Sequence, residues 1–487
     1  MKVKQRSTCQ QCRTRKLGCD GKTPECSQCT FSGYTCDGYS SEWTFVNETR
    51  PQSRKRVKRP RAQQEQGNET QPPPIPAEAT PGSSDFIALI IRNYMPESER
   101  EYIFENSDTT RSRICGSWVE TLPELLNETP NTSVLYSAAN ALAMAISSPS
   151  AQPTGSVACT QAYSTAIKAL QKGFMARDTL CPAQLTASVM CLGLVEVMFP
   201  DSSLGVAAHF SGIEQLFRVN GPEKYSSGVL HKLFVGFRPL LIVQALQNRQ
   251  KTFLAEDDWM TTPFAIFSPS PMQNLLNEGL PLTSVLHEIN HLLASTHQST
   301  LEAAALATVV LDIRASLKEW EISLRDSLDG ASYWQNSSST HKKSASSQTI
   351  TMEPNLWFPN ITLANVYTHL WAFNIICLSE ITDLCTHFPT LLQEHRHLRE
   401  RIAAENPDHE TLRLAEQICA SMEYLLQDEM GLFGPGSTFL PLMMAHRVLL
   451  NDPEDTRCEK LDWVRGIVER LVEKGLRSAP AVVFQQR

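Results

Sequence analysis

The sequence lacks a long hydrophobic run and the other marks of a membrane, secreted or fibrous protein. Its longest apolar stretch, Leu185–Phe199, has about 15 residues and contains Glu196, so it is too short to span a bilayer. The first residues are polar and basic and offer no apolar core for a signal peptide. The 22 Gly and 29 Pro show no regular period, which excludes a collagen-like repeat. We therefore expect neither a membrane span nor secretion.

Positive charge is scarce overall but concentrated near the start of the chain. The formal net charge is −8, yet residues 1–61 contain 14 Lys and Arg against 5 Asp and Glu. The rest of the chain contains 30 Lys and Arg against 47 Asp and Glu. A basic end attached to an acidic body is typical of a protein in which one end contacts nucleic acid.

Cysteine is dense in one short segment and scattered elsewhere. Eight of the 14 cysteines are dispersed through the body, where we expect reduced, buried thiols. The other six form C-x2-C-x6-C twice, with the second copy 17 residues after the first: Cys9, Cys12, Cys19, Cys26, Cys29 and Cys36. Two tetrahedral zinc ions need eight ligand positions, so six thiolates suffice only if two of them bridge. The count predicts a binuclear cluster of two zinc ions per chain, which replaces the apolar core that so short a segment cannot form.

The two copies differ in charge. The first carries Arg13, Arg15 and Lys16 between its ligands, whereas the second carries Thr30, Phe31 and Tyr34. Only the first copy can neutralise phosphates and donate hydrogen bonds to guanine edges.

This pattern, with Cys-Arg-x-Arg-Lys from Cys12 and Pro24 in the connecting loop, resembles the fungal zinc binuclear cluster DNA-binding domain over residues 7–39. The resemblance implies that Cys9 and Cys26 bridge the two metals. It also implies that Arg15 and Lys16 contact a CGG triplet in the major groove of double-stranded DNA. Further phosphate contacts would then come from the basic residues around them: Arg13, Lys2, Lys4 and Arg6.

A dense basic run and a polar stretch follow the cysteines. The run is either a nuclear import signal or an additional phosphate clamp, and its basic residues are Arg54, Lys55, Arg56, Lys58, Arg59 and Arg61. Residues 62–84 are rich in Gln, Glu and Pro, which predicts a flexible linker. Residues 37–85 show no heptad series, so any homodimer would have to form through the body.

The body shows a helical period. We expect its first helix to begin near Asp85, as an N-cap. Apolar residues recur every three or four positions in two later segments: Leu306, Val310, Ile313, Leu317, Trp320 and Leu324, and then Leu461, Val464, Val468, Leu471 and Val472. Gly221-Pro222, residues 268–271 and the Ser-rich residues 336–347 predict turns or loops.

At roughly 400 residues the body is large enough to divide into two lobes. Residues 209–222 and 241–264 resemble the fungal-specific transcription factor domain, which implies a helical region that inhibits, senses or recruits.

A rival motif lies within the body. His287-Glu288-x-x-His291 matches H-E-x-x-H, and His297 follows ten residues after the first His, which would indicate a zinc metallopeptidase with Glu288 as general base. Peptidases of that pattern have a Gly where this chain has Ala294, so we expect the helix to continue and to keep His297 away from the other two. We expect no enzyme activity.

The sequence thus predicts a small zinc-cluster DNA-binding domain (residues 1–40), a basic and Pro/Gln-rich flexible linker (41–84) and a large all-α regulatory domain (85–487). The predicted function is nuclear regulation of RNA polymerase II genes through CGG-type sites, together with the transcription machinery or co-regulators. A metabolic or secondary-metabolite gene cluster is a candidate target. Two alternatives stay open, an intracellular zinc metallopeptidase and a metabolite-gated regulator.

Overall fold

The protein comprises two compact units, Met1–Ala77 and Glu78–Arg487. The computed structural model describes residues 29–30, 36, 83–100, 114–127, 133–148, 153–175, 181–200, 203–295, 299–336, 355–452 and 457–485. Residues 41–82 of the predicted linker and most of the Ser-rich segment lie outside the described residues, whereas Ser83 and Ser84, the last two residues of the predicted linker, belong to a helix. The predicted domain boundaries therefore stay predictions.

Helices make up most of the described body. Those of its first half are α1 (Ser83–Tyr94), α2 (Glu97–Arg100), α3 (Leu122–Asn127), α4 (Val134–Ser147), α5 (Pro153–Met175), α6 (Pro182–Met198), α7 (Ser203–Asn220), α8 (Gly228–Asn248), α9 (Asp257–Thr261), α10 (Pro271–Gly279) and α11 (Pro281–Ala294). Short 3₁₀ helices lie between them at Cys115–Thr121, Pro222–Tyr225, Phe253–Ala255 and Thr262–Phe264.

The second half adds one small sheet to further helices. Strands β1 (Trp334–Asn336) and β2 (Asn355–Trp357) are antiparallel, with Trp334 opposite Trp357. No sequence pattern predicted this pair, because three-residue strands are too short to show alternation. The helices are α12 (Thr300–Asp326), α13 (Ile361–His387), α14 (Leu391–Glu394), α15 (Arg396–Glu405), α16 (Pro407–Ala420), α17 (Met422–Leu425), α18 (Phe433–Gly436), α19 (Phe439–Leu450), α20 (Arg457–Glu473) and α21 (Ala479–Val483), with a 3₁₀ helix at Asp428–Met430.

The two predicted apolar stripes lie on α12 and α20. On α12, Val310, Ile313 and Leu317 are buried and the other stripe residues are partly buried against the core. Ser299 caps this helix, since its hydroxyl accepts a hydrogen bond from the backbone N–H of Glu302. The helical interpretation of both segments is confirmed.

The predicted start of the body is wrong in detail. Helix α1 begins at Ser83, two residues before the expected N-cap, and Asp85 lies in its first turn. A carboxylate in the first turn still stabilises a helix, because it faces the positive end of the helix dipole. Among the predicted turns, Gly221 separates α7 from the next 3₁₀ helix with a φ of 77°, and Ser270 caps α10.

The described body has a single core rather than two lobes. Its buried apolar side chains form one cluster that extends from Phe86 to Val483. Helix α13 lies within this cluster and is buried along most of its length, with α10, α12, α16 and α19 packed against it. The described helices of both halves therefore share one hydrophobic interior.

Two described helices, α8 and α13, are long and apolar enough to cross a membrane by length and composition alone. In the most apolar 18-residue stretch of each helix, the share that is buried inside the protein is 44% for α8 and 94% for α13. Neither helix forms an uninterrupted apolar run in the sequence, because each contains polar residues. Helix α13 owes its apolar character to its place in the core.

Candidate functional site

The six candidate zinc ligands lie in the first unit, and the structure describes two of them. Cys29 is helical and its side chain is completely buried, whereas its neighbour Thr30 is exposed. Cys36 is half-buried. The remaining candidate ligands, Cys9, Cys12, Cys19 and Cys26, lie outside the described residues.

The donor set fits zinc. Thiolate sulfur is a preferred ligand of zinc, and structural sites exclude water from the metal. A completely buried thiol at Cys29, in a segment with few apolar side chains, has the environment of such a ligand. The six cysteines would hold the two ions, whose role here would be to organise the fold around them.

The candidate DNA contacts and the candidate import signal belong to the part of the chain that the structure does not describe. Arg13, Arg15, Lys16, Lys2, Lys4 and Arg6 lie outside the described residues. The same holds for the basic run, that is, for Arg54, Lys55, Arg56, Lys58, Arg59 and Arg61.

The rival H-E-x-x-H motif lies on α11, which does not continue as expected. The helix ends at Ala294, and Ser295 has an extended conformation, so the argument from a continuing helix was wrong. His297 lies outside the described residues. The rings of His287 and His291 are 6.1 Å apart between centroids, one turn from each other.

Glu288 has the wrong environment for a general base. Its carboxylate is exposed and lies 2.5 Å from the ammonium of Lys251. The hydrogen bond from Lys251 holds the pKa of Glu288 below its usual value, whereas a general base acts best with a pKa near the working pH. No group of three or more His, Cys, Asp or Glu in the described part of the chain could hold a metal ion.

The scattered cysteines of the body carry reduced thiols, as expected. Burial raises the pKa of Cys191, Cys377 and Cys419 to about 12, so these thiols stay protonated and unreactive. Cys181 and Cys458 are exposed and depart from the expected burial.

A cavity that no sequence pattern predicted lies near the end of the chain. It lies between α13, α16, α19 and α20, has a volume of about 910 Å³ and includes His446 and Arg447 in its lining. The signal in the sequence is the polar pair His446-Arg447 within the otherwise apolar helix α19. Helical periodicity alone could not show that the pair faces a cavity, because the other walls come from distant segments.

Comparison with known proteins gives one family match, which lies within the first unit. Residues 7–42 match the fungal Zn(2)-Cys(6) binuclear cluster domain, whose family consists of transcription factors and not of enzymes. This domain binds two zinc ions and DNA. The match ends at residue 42 and does not extend into the body, so the resemblance of the body to the fungal-specific transcription factor domain stays a prediction. No curated protein and no solved structure is significantly similar to the chain.

Proposed function

We propose that this protein is a sequence-specific transcription regulator of RNA polymerase II genes that recognises CGG-type sites in double-stranded DNA. The observation that carries the proposal is the domain match over residues 7–42, which includes all six cysteines of the duplicated motif. The opposite charges of the first 61 residues and the rest of the chain support it, because only the basic end is suited to approach phosphates.

The proposed reading head is the first copy of the motif. Arg15 and Lys16 follow the ligand Cys12 closely, so the metal cluster would hold them in place. Their side chains can donate to O6 and N7 of guanine, which is the commonest specific contact in the major groove. Arg13 and the basic residues before Cys9 would contact phosphates, which fixes the register on DNA without reading the sequence.

The six cysteines would hold the two zinc ions, with Cys9 and Cys26 as the shared ligands that the family resemblance implies and the other four cysteines as ligands of one ion each. The basic run of residues 54–61 would direct nuclear import. The body would act as the regulatory region, in keeping with its large helical core and with the local resemblance of residues 209–222 and 241–264 to the fungal-specific transcription factor domain.

The experiment measures binding of the full chain to a CGG-containing duplex and to a scrambled duplex. Because a good base contact contributes about 1–3 kcal/mol, Arg15→Ala and Lys16→Ala should each weaken binding to the CGG duplex about 5- to 150-fold. Binding to the scrambled duplex should change much less. Arg13→Ala should weaken binding to both and reduce the salt slope by about one ion.

The matched control is Arg50→Ala, which removes the same charge outside the matched domain and should leave the preference for CGG unchanged. Zinc chelation should abolish the preference, because the segment depends on the metals for its fold. Full CGG preference in both Arg15→Ala and Lys16→Ala would show that the first copy is not the reading head.

A further inference from the structure

The cavity near the end of the chain has the size of a small-molecule site. Its volume of about 910 Å³ lies within the usual range of ligand pockets. The walls come from the C-terminal part of α13, the first turns of α16, the end of α19, one face of α20 and Phe484-Gln485. The cavity opens to solvent, since Leu450 and Asp408 in its lining are exposed.

Arg447 brings an uncompensated positive charge to this cavity. Its guanidinium forms no ion pair with a described carboxylate, and its Nε atom is buried without a hydrogen-bond partner in the described structure. The nearby carboxylate of Glu380 is engaged by Arg249 through two hydrogen bonds, of 2.7 and 2.8 Å. A cavity with such a cation in its lining favours an anionic ligand, because the ligand would bring a charge of opposite sign close to the guanidinium.

His446 adds a second polar atom without a partner. Its Nδ1 atom is buried and has no hydrogen-bond partner among the described residues. Burial lowers the pKa of His446, and the charges of Arg447 and Arg465 lower it further, so the ring is neutral near pH 7. The ring packs edge-on against Phe484, with 4.9 Å between centroids.

The remaining lining decides which anion would fit. Asp452 is engaged by Lys460 at 3.0 Å, and Arg465 pairs with Asp462. Asp383 and Asp408 also line the cavity and would repel a polyanion such as a phosphate ester. They would accept hydrogen bonds from a hydroxyl or an ammonium group. Apolar surface comes from side chains on three helices and from the C-terminal segment: Leu412, Met444, Val448, Leu450, Leu461 and Phe484.

We propose that this cavity binds a small organic monocarboxylate with an apolar body and a hydroxyl or amino group. The carboxylate would accept hydrogen bonds from Arg447, the apolar body would lie against Phe484 and Leu461, and the donor group would face Asp383 or Asp408. Such a ligand would make the protein a metabolite-responsive regulator, and only this consequence rests on the function proposed above.

The test is titration calorimetry on the full chain without DNA, with four probes. L-Phenylalanine and 3-phenyllactate have all three features, L-phenylalaninamide lacks the carboxylate, and inorganic phosphate lacks the apolar body. We expect the two acids to bind with Kd below about 1 mM, and the other two at least about tenfold more weakly.

Substitutions locate the site. Arg447→Gln should weaken binding of both acids at least about tenfold, whereas Arg401→Gln, in an exposed pair with Asp312 outside the cavity, should not. Leu450 is 44% exposed at the rim, so Leu450→Glu should fold normally and weaken binding by repulsion, while Leu450→Lys should not weaken it.

Three outcomes overturn the inference: neither acid binds, phosphate or the amide binds as tightly as the acids, or Arg447→Gln and Leu450→Glu both leave binding unchanged. Measurement of CGG binding on the same preparations separates the two proposals. A chain that binds CGG DNA but neither acid loses this inference alone, and one that binds the acids but not DNA loses the proposed function alone.

Discussion

At the scale of single residues, the described body contains a buried cation that joins three of its helices. Arg314 on α12 is only 2% exposed and its guanidinium lies 2.8 Å from the carboxylate of Glu405 on α15. It also donates a 2.6 Å hydrogen bond to Asn374 on α13. The exposed Lys318 reaches the same Glu405 carboxylate, at 2.6 Å. One carboxylate therefore has a buried and an exposed cationic partner.

These two partners should differ in their effect on stability. Arg314→Met should lower the free energy of unfolding by about 3 kcal/mol, because it removes the buried cation of Glu405 and leaves the buried Oδ1 atom of Asn374 without its Arg314 donor. Among the described residues, Glu405 would keep only its exposed partner, Lys318. Lys318→Met should lower it by less than about 1 kcal/mol, because water solvates an exposed ion pair almost as well. Urea unfolding of the full chain measures both. Equal losses would contradict the assignment of Arg314 as the structural partner.

At the scale of elements, close packing of two helices depends on a residue without a side chain. Gly236 on α8 lies against Trp118 of the 3₁₀ helix Cys115–Thr121, and a Cβ atom added there would be 2.7 Å from the Trp118 ring. Trp118 is itself 2% exposed and has no room to withdraw. The contact fixes the distance between the two elements.

Gly236→Ala should therefore destabilise the protein by about 1–3 kcal/mol, because the overlap outweighs the better helix propensity of Ala. The control is Gly466→Ala on α20, where an added Cβ atom has no neighbour within 4 Å. That substitution should stabilise the protein by about 0.5–1 kcal/mol. Thermal unfolding compares them, and a stabilising Gly236→Ala would refute the close packing.

At the scale of the whole molecule, one core buries groups that titrate freely in water. His369 on α13 is 6% exposed, and burial lowers its pKa to about 4. Its Nδ1 atom donates a 2.8 Å hydrogen bond to the carbonyl of Asn365, which suits the neutral ring. Between pH 6.5 and pH 4 the unfolded chain binds a proton at this site and the folded chain does not. His369 therefore leaves the free energy of unfolding at its full value above pH 6.5, and that free energy decreases as the pH falls from 6.5 towards 4.

When the pH is lowered from 7 to 5, the protonation of His369 in the unfolded chain should lower the free energy of unfolding by about 2 kcal/mol. His369→Leu should remove about that much of the pH dependence, as measured by urea unfolding at the two pH values. His409→Leu, at an exposed position on α16, serves as the control and should leave it unchanged. The same pH dependence in His369→Leu as in the unsubstituted chain would contradict this account.

Much of the helical architecture was predictable because its signal is local. The stripe from Leu306 to Leu324 repeats at the helical period, and the structure confirms a helix over Thr300–Asp326. The exact ends were not predictable, since the unexpected end of α11 at Ala294 and the start of α1 at Ser83 depend on the turns beyond them. The short strands β1 and β2 pair although they are separated in the sequence, and a local hydrophobic period cannot predict such a pairing.

The sequence by itself determined the zinc-cluster domain match, because the candidate ligands lie close together in the chain and their spacing is visible without a fold, and residues 7–42 match that domain. Only the tertiary structure decided what surrounds Arg447. The carboxylate of Glu380 is already engaged by Arg249, and Phe484 packs beside His446. These residues lie far apart in sequence, so only the packing of the helices brings an uncompensated charge, a neutral imidazole and an apolar wall into one cavity.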